Sequence, residues 1–161
     1  MRGGALPPAI LCTALGLALA SADKKFWLLG ILGGGAVAGA GVWIRLPASW
    51  TDAVFLGCWS STVLNALRVH VARPWSRTST LLLCSNTGIW TSAVISVAGR
   101  KADLLLALPC TLALLPAAWA IRRGESIAVK IVSSWLIAVA ILAATLQFLS
   151  VTPGYLPDHM D

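Results

Sequence analysis

Apolar residues run along this chain in blocks of roughly one membrane-spanning helix each, closed by short charged or proline-containing clusters rather than by an alternating pattern. A bilayer core about 30 Å thick is crossed by about 20 apolar helical residues. The blocks at 5–22, 26–44, 53–72, 79–98, 102–121 and 131–151 fit that length. Between them lie "DKK", "RLPASWTD", "RPWSRT", "GRKAD" and "RRGESIAVK", rich in the charges that hydrocarbon excludes. The pattern predicts an all-α, polytopic transmembrane helix bundle of six spans, forming one integral membrane domain over 1–161. Loops this short make consecutive spans antiparallel neighbours and leave no room for a soluble domain.

The first block has a second reading. "MRGGALPPAILCTALGLALASA" has a basic start, an apolar middle and Ala20-Ser21-Ala22 in the A-x-A form of a signal-peptidase site. A cleaved signal peptide followed by five spans is therefore the alternative. Charge favours six crossings. With alternating loops, Lys24, Lys25, Arg68, Arg73, Arg77, Arg122, Arg123 and Lys130 collect on one face, and Arg2, Arg45, Arg100 and Lys101 on the other. The positive-inside rule then puts the richer face in the cytoplasm and both termini on the non-cytoplasmic side, as in a bacterial inner-membrane protein. Cleavage would invert the assignment.

Composition sharpens this picture. The chain is 58% hydrophobic and only 11% charged, against about 25% charged in a soluble domain, so much of its surface must face lipid. A net charge of +6 would ordinarily raise the question of nucleic acid, but the bases sit in pairs between apolar runs, which is a topology signal and not a binding stripe. Of the eight tryptophans, Trp27, Trp43, Trp50, Trp75 and Trp119 fall near block ends, at headgroup depth. Trp59, Trp90 and Trp135 fall deeper and are expected to pack inside.

The glycine-rich stretch 30–41, "GILGGGAVAGAG", formally contains G-x-G-x-x-A at Gly33 to Ala38. That fingerprint binds a dinucleotide only between a strand and a helix of a βαβ unit, and here it lies mid-span. Helix packing is the better account. Gly30 and Gly34 share one face and Gly35 and Gly39 another, at the four-residue spacing that lets membrane helices approach closely.

Polar residues concentrate in one hairpin. Cys58, Ser61, Asn65 and Arg68 form a stripe on the third span; Ser85, Gly88, Ser92, Ser96 and Gly99 form one on the fourth, with Asn86 and Thr87 beside it. Structural glue accounts for such residues in lipid. The functional reading is a polar path or ligand contact through Ser61, Asn65, Arg68, Ser85, Asn86 and Ser92, with the fifth span, bent by Pro109 and Pro116, alongside.

Catalytic chemistry is harder to find. The six acidic residues, Asp23, Asp52, Asp103, Glu125, Asp158 and Asp161, are placed in loops or the tail, so no carboxylate sits mid-span for proton or cation coupling. The four cysteines, Cys12, Cys58, Cys84 and Cys110, are widely spaced and read as buried hydrophobes. No catalytic constellation, cofactor site or metal site is expected. The expected function is transport-related: transporter, channel or permease component. The alternative is a non-catalytic subunit or assembly factor docked through the glycine-rich second span. Partners would be the bilayer and either further copies or other membrane subunits, with no nucleic acid.

Overall fold

The computed structural model describes residues 5–71 and 74–148, which are helical and contain no strand. Helix α1 covers Leu6–Ala20 and opens on Pro7 and Pro8, first-turn positions where the missing N–H has no partner to lose. Helix α2 covers Lys24–Gly41. A 3-10 turn at Ala48–Trp50 leads into α3, Thr51–Arg68. Helix α4, Arg77–Ala98, starts at a reciprocal cap: the Ser79 backbone N–H donates to Ser76 Oγ and the Ser76 N–H to Ser79 Oγ. The next segment is broken into α5 at Asp103–Ala107, a 3-10 stretch at Leu108–Ala113 and α6 at Leu114–Arg122. Gly124, at φ 85°, turns the chain into α7, Ser126–Leu146, using a left-handed conformation that glycine adopts without strain.

Three of these segments are long and apolar enough to cross a membrane: Arg77–Ala98, Asp103–Arg122 and Ser126–Leu146. The six-span expectation is met only to this extent. Helix α1 has 15 residues, about 22 Å at 1.5 Å per residue, against a core of about 30 Å. Helices α2 and α3 have 18 each, and lysines, glycines and polar residues dilute their apolar character. The last span begins earlier than expected, so Lys130 lies in α7 and not in a connection. Residues 149–151 of that expected span, together with Arg2, Arg73, Asp158 and Asp161, are outside the described residues. Asp52 and Asp103 stand in the first turns of α3 and α5, where a carboxylate complements the helix dipole.

Helix α1 is the hub. Ala14, Leu17 and Ala20 pack with Ala66 of α3, Ala117 and Ala118 of α6, and Val129 and Leu136 of α7. Leu11 joins Val54, Cys58 and Val94, and Leu15 and Leu19 join Cys84. Helix α2 leans chiefly on α4 and barely touches its sequence neighbour α1. The two run parallel, Gly30 lying beside Cys84 and Gly41 beside Ser92, whereas α3 and α4 run antiparallel, Gly57 facing Trp90 and Asn65 facing Thr87.

The distribution of side chains inverts that of a water-soluble bundle. Leu28, Leu32, Leu82, Leu105, Ile131 and Leu142 stand exposed, while Ser61, Thr62, Asn65, Thr80, Thr91 and Ser133 are buried. Large apolar surfaces without a partner are stable only in an apolar solvent. Trp59 is buried as expected, Trp90 is half-buried, and Trp135 corrects the expectation by projecting from α7 at 64% exposure.

Candidate functional site

The polar residues of the α3–α4 hairpin meet, but in a different combination from the two expected stripes. Asn65 Nδ2 donates to Thr87 Oγ1 at 2.9 Å, and Thr87 in turn donates to the Leu83 carbonyl at 3.0 Å. Asn86 Nδ2 donates to Ser61 Oγ, and Trp90 Nε1 donates to Asn86 Oδ1 at 3.1 Å. Asn86 and Thr87, beside the α4 stripe, therefore face α3. Ser85 is half-buried and takes no part in the network. Ser92 looks toward α2, where its side chain lies against Gly41 and its hydroxyl donates to the Ile89 carbonyl. The resulting cluster is closed: Ser61, Asn65 and Thr87 are almost wholly inaccessible. Its one loose end is Asn65 Oδ1, buried without a hydrogen-bond partner, a state shared by Ser133 Oγ on α7.

The glycines separate into two groups. A Cβ on Gly34 would stand 3.0 Å from the Cys84 carbonyl oxygen, and one on Gly30 would stand 2.9 Å from Cys84 Sγ. From the other side, a Cβ on Gly88 would stand 2.6 Å from the Gly34 carbonyl oxygen. Gly30, Gly34 and Gly88 are thus the surface across which α2 and α4 touch, backbone against backbone. Gly35 and Gly39 have nothing within 4 Å of an added Cβ, so that second face is open.

Because α2 sits on α4 and away from α1, a cavity of about 420 Å³ remains between them. Cys12 and Leu15 of α1 form one wall; Gly34, Gly35 and Ala38 of α2 form another; Thr87, Gly88 and Thr91 of α4 and Leu108 and Thr111 of the 3-10 stretch complete it. Its volume falls in the range of small-molecule sites and its lining is mostly apolar, the Thr87 hydroxyl being turned to Asn65. Thr91 Oγ1 lies 3.8 Å from Cys12 Sγ, and Thr111 donates to the Leu108 carbonyl at 2.7 Å. Leu32, 62% exposed, is at the mouth. The cavity thus lies next to exposed apolar surface.

Composition alone did not mark this site. Thr87, Thr91 and Thr111 are single hydroxyls on three turns of two segments, and only the offset of α2 brings them to one space. The signal present in the sequence was the four-residue spacing of Thr87 and Thr91, overshadowed by the serines around them.

Arg68 lies apart from this cavity. Half-buried at the end of α3, it donates from Nη1 to the Val71 carbonyl at 2.8 Å, and its guanidinium stacks 4.3 Å from the centre of the Trp75 ring. Equivalent cation–π pairs join Lys101 to Trp43 and Arg123 to Trp119. Cys12, Cys58 and Cys84 are buried and Cys110 half-buried, all as free thiols. Among the described residues, no group of three His, Cys, Asp or Glu side chains is placed to hold a metal ion. No family model, curated protein or solved structure matches the chain.

Proposed function

We propose that this chain is a small multi-pass membrane protein with a transport-related role, and that its solute is a small, largely apolar molecule held in the cavity between α1, α2 and α4. The observation that carries this reading is the cavity itself: about 420 Å³ behind the glycine-packed α2, with Thr87, Thr91 and Thr111 on its walls. A chamber lined mostly by apolar atoms favours an uncharged solute, because an ion would be desolvated there without a counter-charge. The polar residues of the α3–α4 hairpin, already hydrogen-bonded to one another, support the chamber from behind through the Asn65–Thr87 bond. In this reading the protein resides in a bacterial inner membrane with its base-rich face toward the cytoplasm and both termini opposite.

Gly35 offers a clean test, since it lines the cavity and an added side chain there meets nothing at its root. In proteoliposomes, counterflow of uncharged probes (glycerol, urea, n-butanol and indole) is measured for the wild type and for Gly35→Phe. At least one probe is expected to equilibrate faster through the wild type and to lose that advantage in the variant. Equal rates for every probe in wild type, variant and empty vesicles overturn the proposal.

One observation favours a second reading, a subunit or assembly role. Gly35 and Gly39 present an open small-residue face next to exposed Leu28 and Leu32, a surface suited to another membrane helix. Native mass spectrometry from the source membrane distinguishes the two, since a stable hetero-complex broken by Gly39→Leu favours the subunit reading.

A further inference from the structure

Resting on the proposed role of the cavity between α1, α2 and α4, we infer that its solute is a compact apolar molecule with one hydrogen-bond donor, an N–H or O–H, which it gives to Thr111 Oγ1. A hydroxyl holds one proton and two lone pairs. What each wall residue offers a solute therefore depends on where its proton already points.

Three threonines line the cavity, and they are not equivalent. Thr87 gives its proton to the Leu83 carbonyl, accepts from Asn65 Nδ2 and keeps 2% exposure. Thr91 faces Cys12 Sγ at 3.8 Å, and that pair is closed off, at 0% and 1% exposure. Thr111 keeps the most, 7%. Its proton goes to the Leu108 carbonyl at 2.7 Å, which leaves the lone pairs of Oγ1 for a partner. The broken segment sets this up: Leu108 and Thr111 stand one 3-10 turn apart, so the hydroxyl reaches back to that carbonyl. The main-chain N–H groups of α1, α2 and α4 around the space are bound within their own helices. The accessible wall thus offers an acceptor and no free donor. A solute whose polar atom only accepts would set lone pair against lone pair and lose its hydration without return. An N–H or O–H recovers a bond there.

The test is equilibrium dialysis of indole and benzofuran against the full-length protein in phosphatidylcholine nanodiscs, with uptake by empty nanodiscs subtracted. The two rings match in shape and differ in an N–H donor against an ether oxygen. Affinities are compared as a ratio across variants, so that the difference in hydrophobicity between the rings cancels. The preference for indole is expected to fall about fivefold in Thr111→Val, the worth of one neutral hydrogen bond, and to persist in Thr111→Ser. A ratio unchanged in Thr111→Val overturns the inference, and the cavity reading still stands if Gly35→Phe weakens the binding of both rings. Failure of the wild type to bind either ring above empty nanodiscs, or binding untouched by Gly35→Phe, overturns the cavity reading and this inference with it. Should Thr111→Val fail to fold, the N–H proton resonance of 15N-labelled indole bound to the wild type decides: a position downfield of indole in cyclohexane supports the bond, and the cyclohexane position overturns it.

Discussion

At the scale of single residues, the difference between one glycine and another depends on what a methyl group would strike. A Cβ at Gly88 would meet the Gly34 carbonyl oxygen at 2.6 Å and the Ala38 backbone nitrogen at 3.1 Å. Those are main-chain atoms of a helix, which yield only if α2 moves away from α4. Gly39 has the same residue type in the same kind of helix, yet an added Cβ meets nothing. Gly88→Ala is therefore expected to destabilise the protein by about 1–3 kcal/mol, the usual range for overpacking a close contact. Gly39→Ala should be neutral or slightly stabilising, because alanine restricts the unfolded chain and favours helix. Unfolding in mixed micelles of increasing SDS content checks both. Equal midpoints for the two variants would show that α2 and α4 do not touch as described.

At the scale of elements, the broken segment Asp103–Arg122, long and apolar enough to cross a membrane, shows how the groups freed by an interruption can be satisfied within the chain. Pro109 brings no N–H, and the chain responds with a 3-10 stretch over Leu108–Ala113. Side chains then serve the carbonyls: Thr111 Oγ1 donates to Leu108 at 2.7 Å and Cys110 Sγ to Leu106 at 3.5 Å. Thr111→Val keeps the shape and removes the stronger donor, and should cost about 0.5–1.5 kcal/mol of stability. In a Pro109→Ala background, where the backbone regains a donor, the same change should cost less. A thermodynamic cycle of the four proteins measures the difference, and strict additivity would refute this account. The bend itself was legible from two prolines in one apolar block. Its 3-10 form was not, nor was the close approach of Gly16 of α1 to the Thr111 carbonyl, a contact far apart in sequence. The same holds for the α3–α4 hairpin. The wealth of polar residues there was visible in the chain, but the choice of Asn86 and Thr87 over Ser85 and Ser92 as partners of α3 depends on the rotation of α4, which also turns Ser92 toward Gly41 of α2.

At the scale of the whole molecule, hydropathy read the block pattern well and the role of the first block poorly. A scale of apolar length assumes that each helix meets lipid, and α1 does not. It is short, and eleven of its fifteen residues are buried, because α3, α4, α6, α7 and the 3-10 stretch surround it. Small and medium side chains at Ala14, Leu17, Ala18 and Leu19 let those neighbours close in. This position bears on the signal-peptide alternative. A leader removed after Ala22 would take with it Leu11, Leu15 and Leu19 and one wall of the cavity, leaving Cys58, Val94 and Cys84 without the residues they pack against. Emptying three core clusters at once removes several large side chains, each worth about 2–5 kcal/mol, against a total stability of about 5–15 kcal/mol. On this packing we expect the mature protein to retain α1. Intact-mass measurement of protein purified from membranes is expected to include residues 5–22, and a chain started at Asp23 behind a foreign cleavable leader should fail to accumulate as a monodisperse species. A mature mass beginning at Asp23, or a folded, monodisperse product from the shortened gene, would remove α1 from the centre of the fold and the cavity with it.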